Sequence, residues 1–87
     1  MIDGARVLKA ARLDGTRATG VTRHFRDGTL QTDFTRLALV QYDDDHGVYL
    51  FYCDDAWNCL TDTFHSDIAD AERQAAAEFE GVSFADA

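Results

Sequence analysis

Val48-Tyr49-Leu50-Phe51-Tyr52-Cys53 is apolar or aromatic at six consecutive positions, so an extended chain would present apolar side chains on both faces there. Such a run suits a central strand covered on two sides. Asp54-Asp55-Ala56-Trp57-Asn58 follows as a turn in which Asn58 can accept a positive φ, and Cys59–Phe64 returns as the partner strand, rich in β-branched threonine. Immediately upstream, Leu37–Tyr42 reads as another long strand. Asp43-Asp44-Asp45-His46-Gly47 closes it in a tight turn, because three adjacent acids do not sit within a strand and Gly47 can take the left-handed position.

Outward from this block the turn chemistry repeats. Asp14-Gly15 and Asp27-Gly28 are hairpin signals, since both residue types tolerate positive φ. Arg6–Leu13 and Thr16–Arg26 are therefore expected to pair as a hairpin, with Gly20 marking a bulge in the second strand. Leu30 to Arg36 reads as a loop with a short extended piece. On the other side, Ile68, Ala71, Ala75 and Phe79 are spaced as one stripe of a helix. Ser66 or Asp67 can cap its start, and Gly81 is placed to cap its end. The expected fold is an α+β domain, residues 1–87 together: an antiparallel sheet of four or five strands with one C-terminal helix packed on one face.

A helix roughly 10 Å across covers only two or three strands spaced about 4.8 Å apart. A sheet of this size therefore either curls around the helix or meets a second copy, which motivates the expectation of a homodimer.

Charge is divided by position. Residues 1–36 hold seven of the eight basic groups and four acids, for +3, and residues 37–87 hold Arg73 against twelve acids, for −11. The overall −8 disfavours binding to a nucleic-acid backbone, which wants clustered Lys and Arg, and favours solubility or a basic protein partner. No apolar run reaches the roughly 18 residues needed to span a bilayer, and none has the form of a signal peptide. The expected location is cytoplasmic, with Cys53 and Cys59 as reduced thiols. A disulfide between them remains conceivable, because they lie symmetrically about Ala56 and neighbouring strands bring Cα atoms within bonding range.

Candidate chemistry is thin. Cys53, Cys59, His65 and His46 lack the paired spacing of zinc ligands, and the run of aspartates at 43–45 lacks the alternation of a calcium loop. No metal and no cofactor is expected. The arginines of the first half, with His24 and Phe25 among them, suit a solvated sheet face paired with acids from the second half better than an RNA-binding surface. Trp57 is either an exposed anchor at a turn tip or a lid folded over the sheet edge.

The segments Gly47–Asp54 and Leu60-Thr61-Asp62-Thr63-Phe64-His65, followed by Gln74-Ala75 and Glu78-Phe79, resemble a family of small bacterial proteins of unassigned activity. In that family a strand hairpin ending in a Thr-Asp-Thr-aromatic-His segment leads into an alanine-rich helix closing on Glu-Phe. The resemblance implies a compact α+β domain from a bacterium and carries no activity, ligand or functional residue with it. The leading functional expectation is a non-enzymatic interaction domain of inhibitor or immunity type. It would present Asp43, Asp44, Asp45, Asp54, Asp55 and Trp57 to a basic partner. Two alternatives stand beside it: a small enzyme or ligand-binding domain with Asp62, His65 and Cys59 at the strand–helix junction, and a structural homodimer with no site.

Overall fold

A computed structural model describes Ile2 and residues 4–31, 34–43 and 46–87. Its centre is a five-stranded antiparallel sheet built from β1 (Arg6–Arg12), β5 (Arg36–Gln41), β6 (Val48–Cys53), β7 (Cys59–His65) and β9 (Ala85–Asp86), in the order β7-β6-β5-β1-β9. Two ribbons flank it: β2 (Arg17–Ala18) with β8 (Phe79–Glu80), and β3 (His24–Arg26) with β4 (Thr29–Gln31). One helix, α1 (Ile68–Glu78), lies across the sheet. The architecture is α+β with the helix on one face.

Alternation along the strands separates two cores. Leu37, Leu39, Val48, Leu50 and Tyr52 face the helix, where Ala71 and Ala75 meet them and Phe34, Ile68 and Phe79 close the margin. Ala38, Val40, Phe51 and Cys53 face the other way, with Ala5 beside them, under Ile2, Tyr42, Tyr49, Trp57 and Cys59. The face that the helix cannot reach thus carries a small core of its own, covered by side chains of the same chain. The β6 run is buried along both faces, as its composition requires.

Several local expectations need correction. Asp14-Gly15 does turn, with Gly15 at φ +77° and Thr16 N–H bonded to Leu13 C=O, but no β1–β2 hairpin forms. β1 instead pairs with β5 along its whole length and with β9 at Lys9 and Ala10. β2 leaves the sheet to pair with β8 beyond the helix. Gly20, at φ +77°, turns a corner outside any strand rather than forming a bulge. The positive φ of the β6–β7 turn falls on Trp57, at +63°, and not on Asn58.

Gly47 is required for a different reason from the one expected. A Cβ there would lie 2.3 Å from the Phe64 ring and 2.7 Å from the His65 carbonyl oxygen. The helix begins on Asp67, whose Oδ1 accepts the Asp70 N–H at 2.8 Å, but it ends on Phe79 rather than on Gly81. Gly81 turns the chain back so that Ala85–Asp86 can add an edge strand to β1, an element that the sequence did not announce.

Candidate functional site

The helix face of the sheet carries a chain of polar side chains that begins at Tyr52. Its phenol lies among apolar neighbours and needs a partner, which α1 supplies: the hydroxyl donates to Glu78 Oε2. The other Glu78 oxygen is 2.8 Å from His24 Nε2, and Gln74 Nε2, one helical turn back, donates to Oε2 at 3.0 Å. The same Gln74 amide reaches Thr22 Oγ1 at 3.2 Å. Glu78 is 4% exposed and His24 7%, so both polar groups are satisfied by the fold and not by solvent. Burial pushes the Tyr52 phenol well above the ordinary tyrosine range, reinforced by the Glu78 carboxylate, so it remains a proton donor across the physiological range.

A second line of bonds runs from the same tyrosine toward the helix start. Tyr52 interacts with the Thr63 hydroxyl. Thr63 Oγ1 is 2.7 Å from His65 Nε2, and His65 Nδ1 is 2.9 Å from Asp70 Oδ2. The bond from His65 holds the Asp70 carboxyl below the usual carboxylate range, with Arg73 adding to the effect. Hydroxyl, imidazole and carboxylate follow one another in the order used by nucleophilic hydrolases. Here the hydroxyl sits in the middle of a strand rather than on a sharp turn, and it already interacts with a phenol.

At the far end of α1 the first line opens into a cavity of about 200 Å³. Ala18, Leu30, Phe34 and Phe79 contribute apolar wall, and His24 and Glu78 are its buried polar groups. The His24 ring centre lies 4.0 Å from that of Tyr52 at a 45° tilt and 5.5 Å from that of Phe34 edge-on, which fixes its orientation. From residue 17 to residue 31, His24 alone is buried, and the segment is tied to the body by that ring, by the β2–β8 pairing and by Thr19, whose N–H donates to Glu78 C=O at 2.8 Å. Its outer side carries apolar groups: Val21 is 65% exposed, Phe25 59% and Leu30 43%, with Phe25 and Leu30 paired across the ribbon.

The residues singled out from sequence are dispersed. Asp54 is committed to its own turn: Oδ1 accepts from the Ala56 and Asn58 backbone at 2.9 Å, and Oδ2 from the Asn58 amide at 3.2 Å. The Asn58 bonds hold its carboxyl below the usual range. Trp57 folds back, half-buried, with the Arg36 guanidinium 5.0 Å above its ring. Asp43 and Asp55 are exposed, and Asp44 and Asp45 lie outside the described residues.

Asp62 and Cys59 line a broad, open cleft with Trp57 and Arg26, whereas His65 faces the helix. The strand–helix junction therefore does not bring Asp62, His65 and Cys59 together. Cys53 and Cys59 are opposite each other in register as thiols, and burial pushes the Cys53 thiol up to about 12. Among the described residues no group of three His, Cys, Asp or Glu side chains is placed to hold a metal ion, and no helix is long and apolar enough to cross a membrane.

Sequence reading missed His24, Tyr52, Gln74 and Glu78. A signal was present for two of them: Ala71, Gln74, Ala75 and Glu78 are spaced three, one and three apart, so the buried stripe of α1 continues through polar residues. Comparison with protein-family models, with curated proteins and with solved structures gave no match.

Proposed function

We propose that the chain is a non-enzymatic protein-interaction module whose docking surface is the outlying segment Val21–Leu30 around the cavity mouth. One observation carries this reading. Three of the four large apolar side chains exposed among the described residues, Val21, Phe25 and Leu30, belong to that short segment, and the fourth is Phe64. Clustered exposed apolar groups mark interaction surfaces more often than solvated ones. The acidic-tip reading is weakened by Asp54, whose oxygens are used within the turn, and by Trp57, which is turned inward.

The test is capture from the native lysate with three baits: the wild-type chain, Phe25→Ser with Leu30→Ser, and Asp43→Asn with Asp55→Asn. A protein held by the first and third baits and lost by the second is the expected result. A protein lost only by the aspartate variant would move the interface to the acidic tips and remove this assignment.

A second reading, a small hydrolase, is favoured by the Thr63–His65–Asp70 order alone. It requires turnover of an activated ester that disappears in Thr63→Val and in His65→Gln while the fold is kept. Turnover unchanged in either variant would remove it.

A further inference from the structure

Resting on the docking assignment, we infer that the cavity beneath the β3–β4 ribbon receives one aromatic side chain carrying an N–H or O–H donor, a tryptophan or tyrosine flanked by acidic residues in the partner. The cavity sets the class of anchor. Its volume of about 200 Å³ exceeds the roughly 150 Å³ at which an apolar protein cavity accepts benzene, so a one- or two-ring group fits. Ala18, Leu30, Phe34 and Phe79 would pack against the ring.

The polar end asks for a donor. A carboxylate offers about four acceptor sites, and Glu78 accepts from Tyr52 and Gln74 and pairs with His24. The site left over suits one further N–H or O–H. A purely aliphatic anchor would fill the wall and add no bond to that carboxylate.

Charge sets what flanks the anchor. Residues 17–30 hold Arg17, Arg23 and Arg26 against Asp27. Arg17 stands opposite Glu80 across the β2–β8 ribbon and Arg26 lines the neighbouring open cleft with Asp62, whereas among the described residues no acid lies within ion-pair distance of Arg23. Arg23 lines the cavity itself. On a chain of net charge −8, Arg23 is a local cation in the wall of an apolar hole, and a carboxylate beside the anchor answers it. A second copy of this chain is a poorer occupant. Its single tryptophan follows two aspartates, but that ring is folded under Arg36 and would have to leave its own core.

The experiment titrates the isotope-labelled chain with three acetylated and amidated pentapeptides at millimolar concentration and follows backbone amide shifts. The peptides carry tryptophan between pairs of aspartates, leucine between pairs of aspartates, and tryptophan between pairs of lysines. The expected result is a saturable shift confined to Ala18, Gly20, His24, Leu30, Gln31 and Phe79 for the first peptide, with affinity at least tenfold weaker for the other two. Ala18→Phe and, separately, Gln31→Phe, both at the cavity wall, should each reduce the first affinity at least tenfold while leaving the remaining amide spectrum in place.

Equal affinity for the leucine peptide would overturn the donor requirement, and equal affinity for the lysine peptide the acidic flank. No shift at millimolar peptide, shifts elsewhere, or self-association of the free chain through the same residues would overturn the inference. If the peptides fail and capture still depends on Phe25 and Leu30, the anchor is wrong and the docking surface stands. If the first peptide binds and capture ignores those two residues, the docking assignment falls.

Discussion

Glu78 shows how a single charged residue ties two layers together. Its carboxylate joins the end of α1 to a central strand through Tyr52 and to the outlying ribbon through His24. Removing the Tyr52 hydroxyl deletes one bond to a buried carboxylate and leaves Oε2 with Gln74 alone, so Tyr52→Phe should lower stability by about 1–3 kcal/mol in urea unfolding. A loss near zero would mean that solvent or a neighbour replaces the hydroxyl. The double variant Tyr52→Phe with Glu78→Gln should lose less than the sum of the single variants, because the two side chains share one bond.

The acid limb belongs to other residues. Asp54 and Asp70 both have folded pKa values held below the ordinary value, by the Asn58 bonds and the His65 bond respectively. Their contribution is complete above the unfolded pKa and disappears as pH falls through the folded one. Stability should therefore drop as pH falls below about 4, the ordinary carboxylate value, and less steeply in Asp70→Asn than in the wild type. Identical slopes would remove the assignment for Asp70. None of these roles was legible in the residues alone. Glutamate and glutamine on a helix look like surface groups until their spacing from Ala71 and Ala75 is counted.

At the level of elements, strands with strong local composition were readable and pairings between distant segments were not. β5, β6, β7 and α1 follow from runs, alternation and a cap that lie within each segment. The partner of β1 does not, because Asp14-Gly15 specifies only that the chain turns. Whether the next segment pairs depends on competition with β5, more than twenty residues away, and an apolar strand such as Leu37–Val40 wins by burying both faces. The edge strand β9 is two residues long and has no compositional signal.

Two substitutions test element boundaries. Asp67→Ala removes the acceptor of the Asp70 N–H and should cost about 1 kcal/mol, read as a lower urea midpoint with an unchanged slope. Gly47→Ala should destabilise more than an exposed loop substitution, because the added methyl meets the His65 backbone as well as the movable Phe64 ring. Wild-type stability in Gly47→Ala would show that the β5–β6 turn closes otherwise.

For the whole molecule, charge opposes compaction while the two cores favour it. The lysine and arginine ion pairs seen among the described residues are few: Lys9 lies 3.7 Å from Glu72 and 3.9 Å from Asp86, and Arg73 lies 3.3 Å from Asp70, all partly or largely exposed. Exposed pairs contribute little, so self-repulsion of a chain at −8 is the larger electrostatic effect. Added sodium chloride should raise Tm by several degrees between low and physiological ionic strength, as screening relaxes that repulsion. A fall in Tm would show that local pairs outweigh it.

The position of the single tryptophan has a consequence for how this chain is watched. Trp57 lies half-buried against the small core on the face away from the helix, beneath Arg36. Its emission will therefore report the state of the β6–β7 turn and that face, and will sense the ribbon only through the open cleft shared with Arg26. Loosening of the ribbon on its cavity side would register weakly in a fluorescence melt. Proton resonances of His24 or Phe25 are the signals in which such an event would appear first.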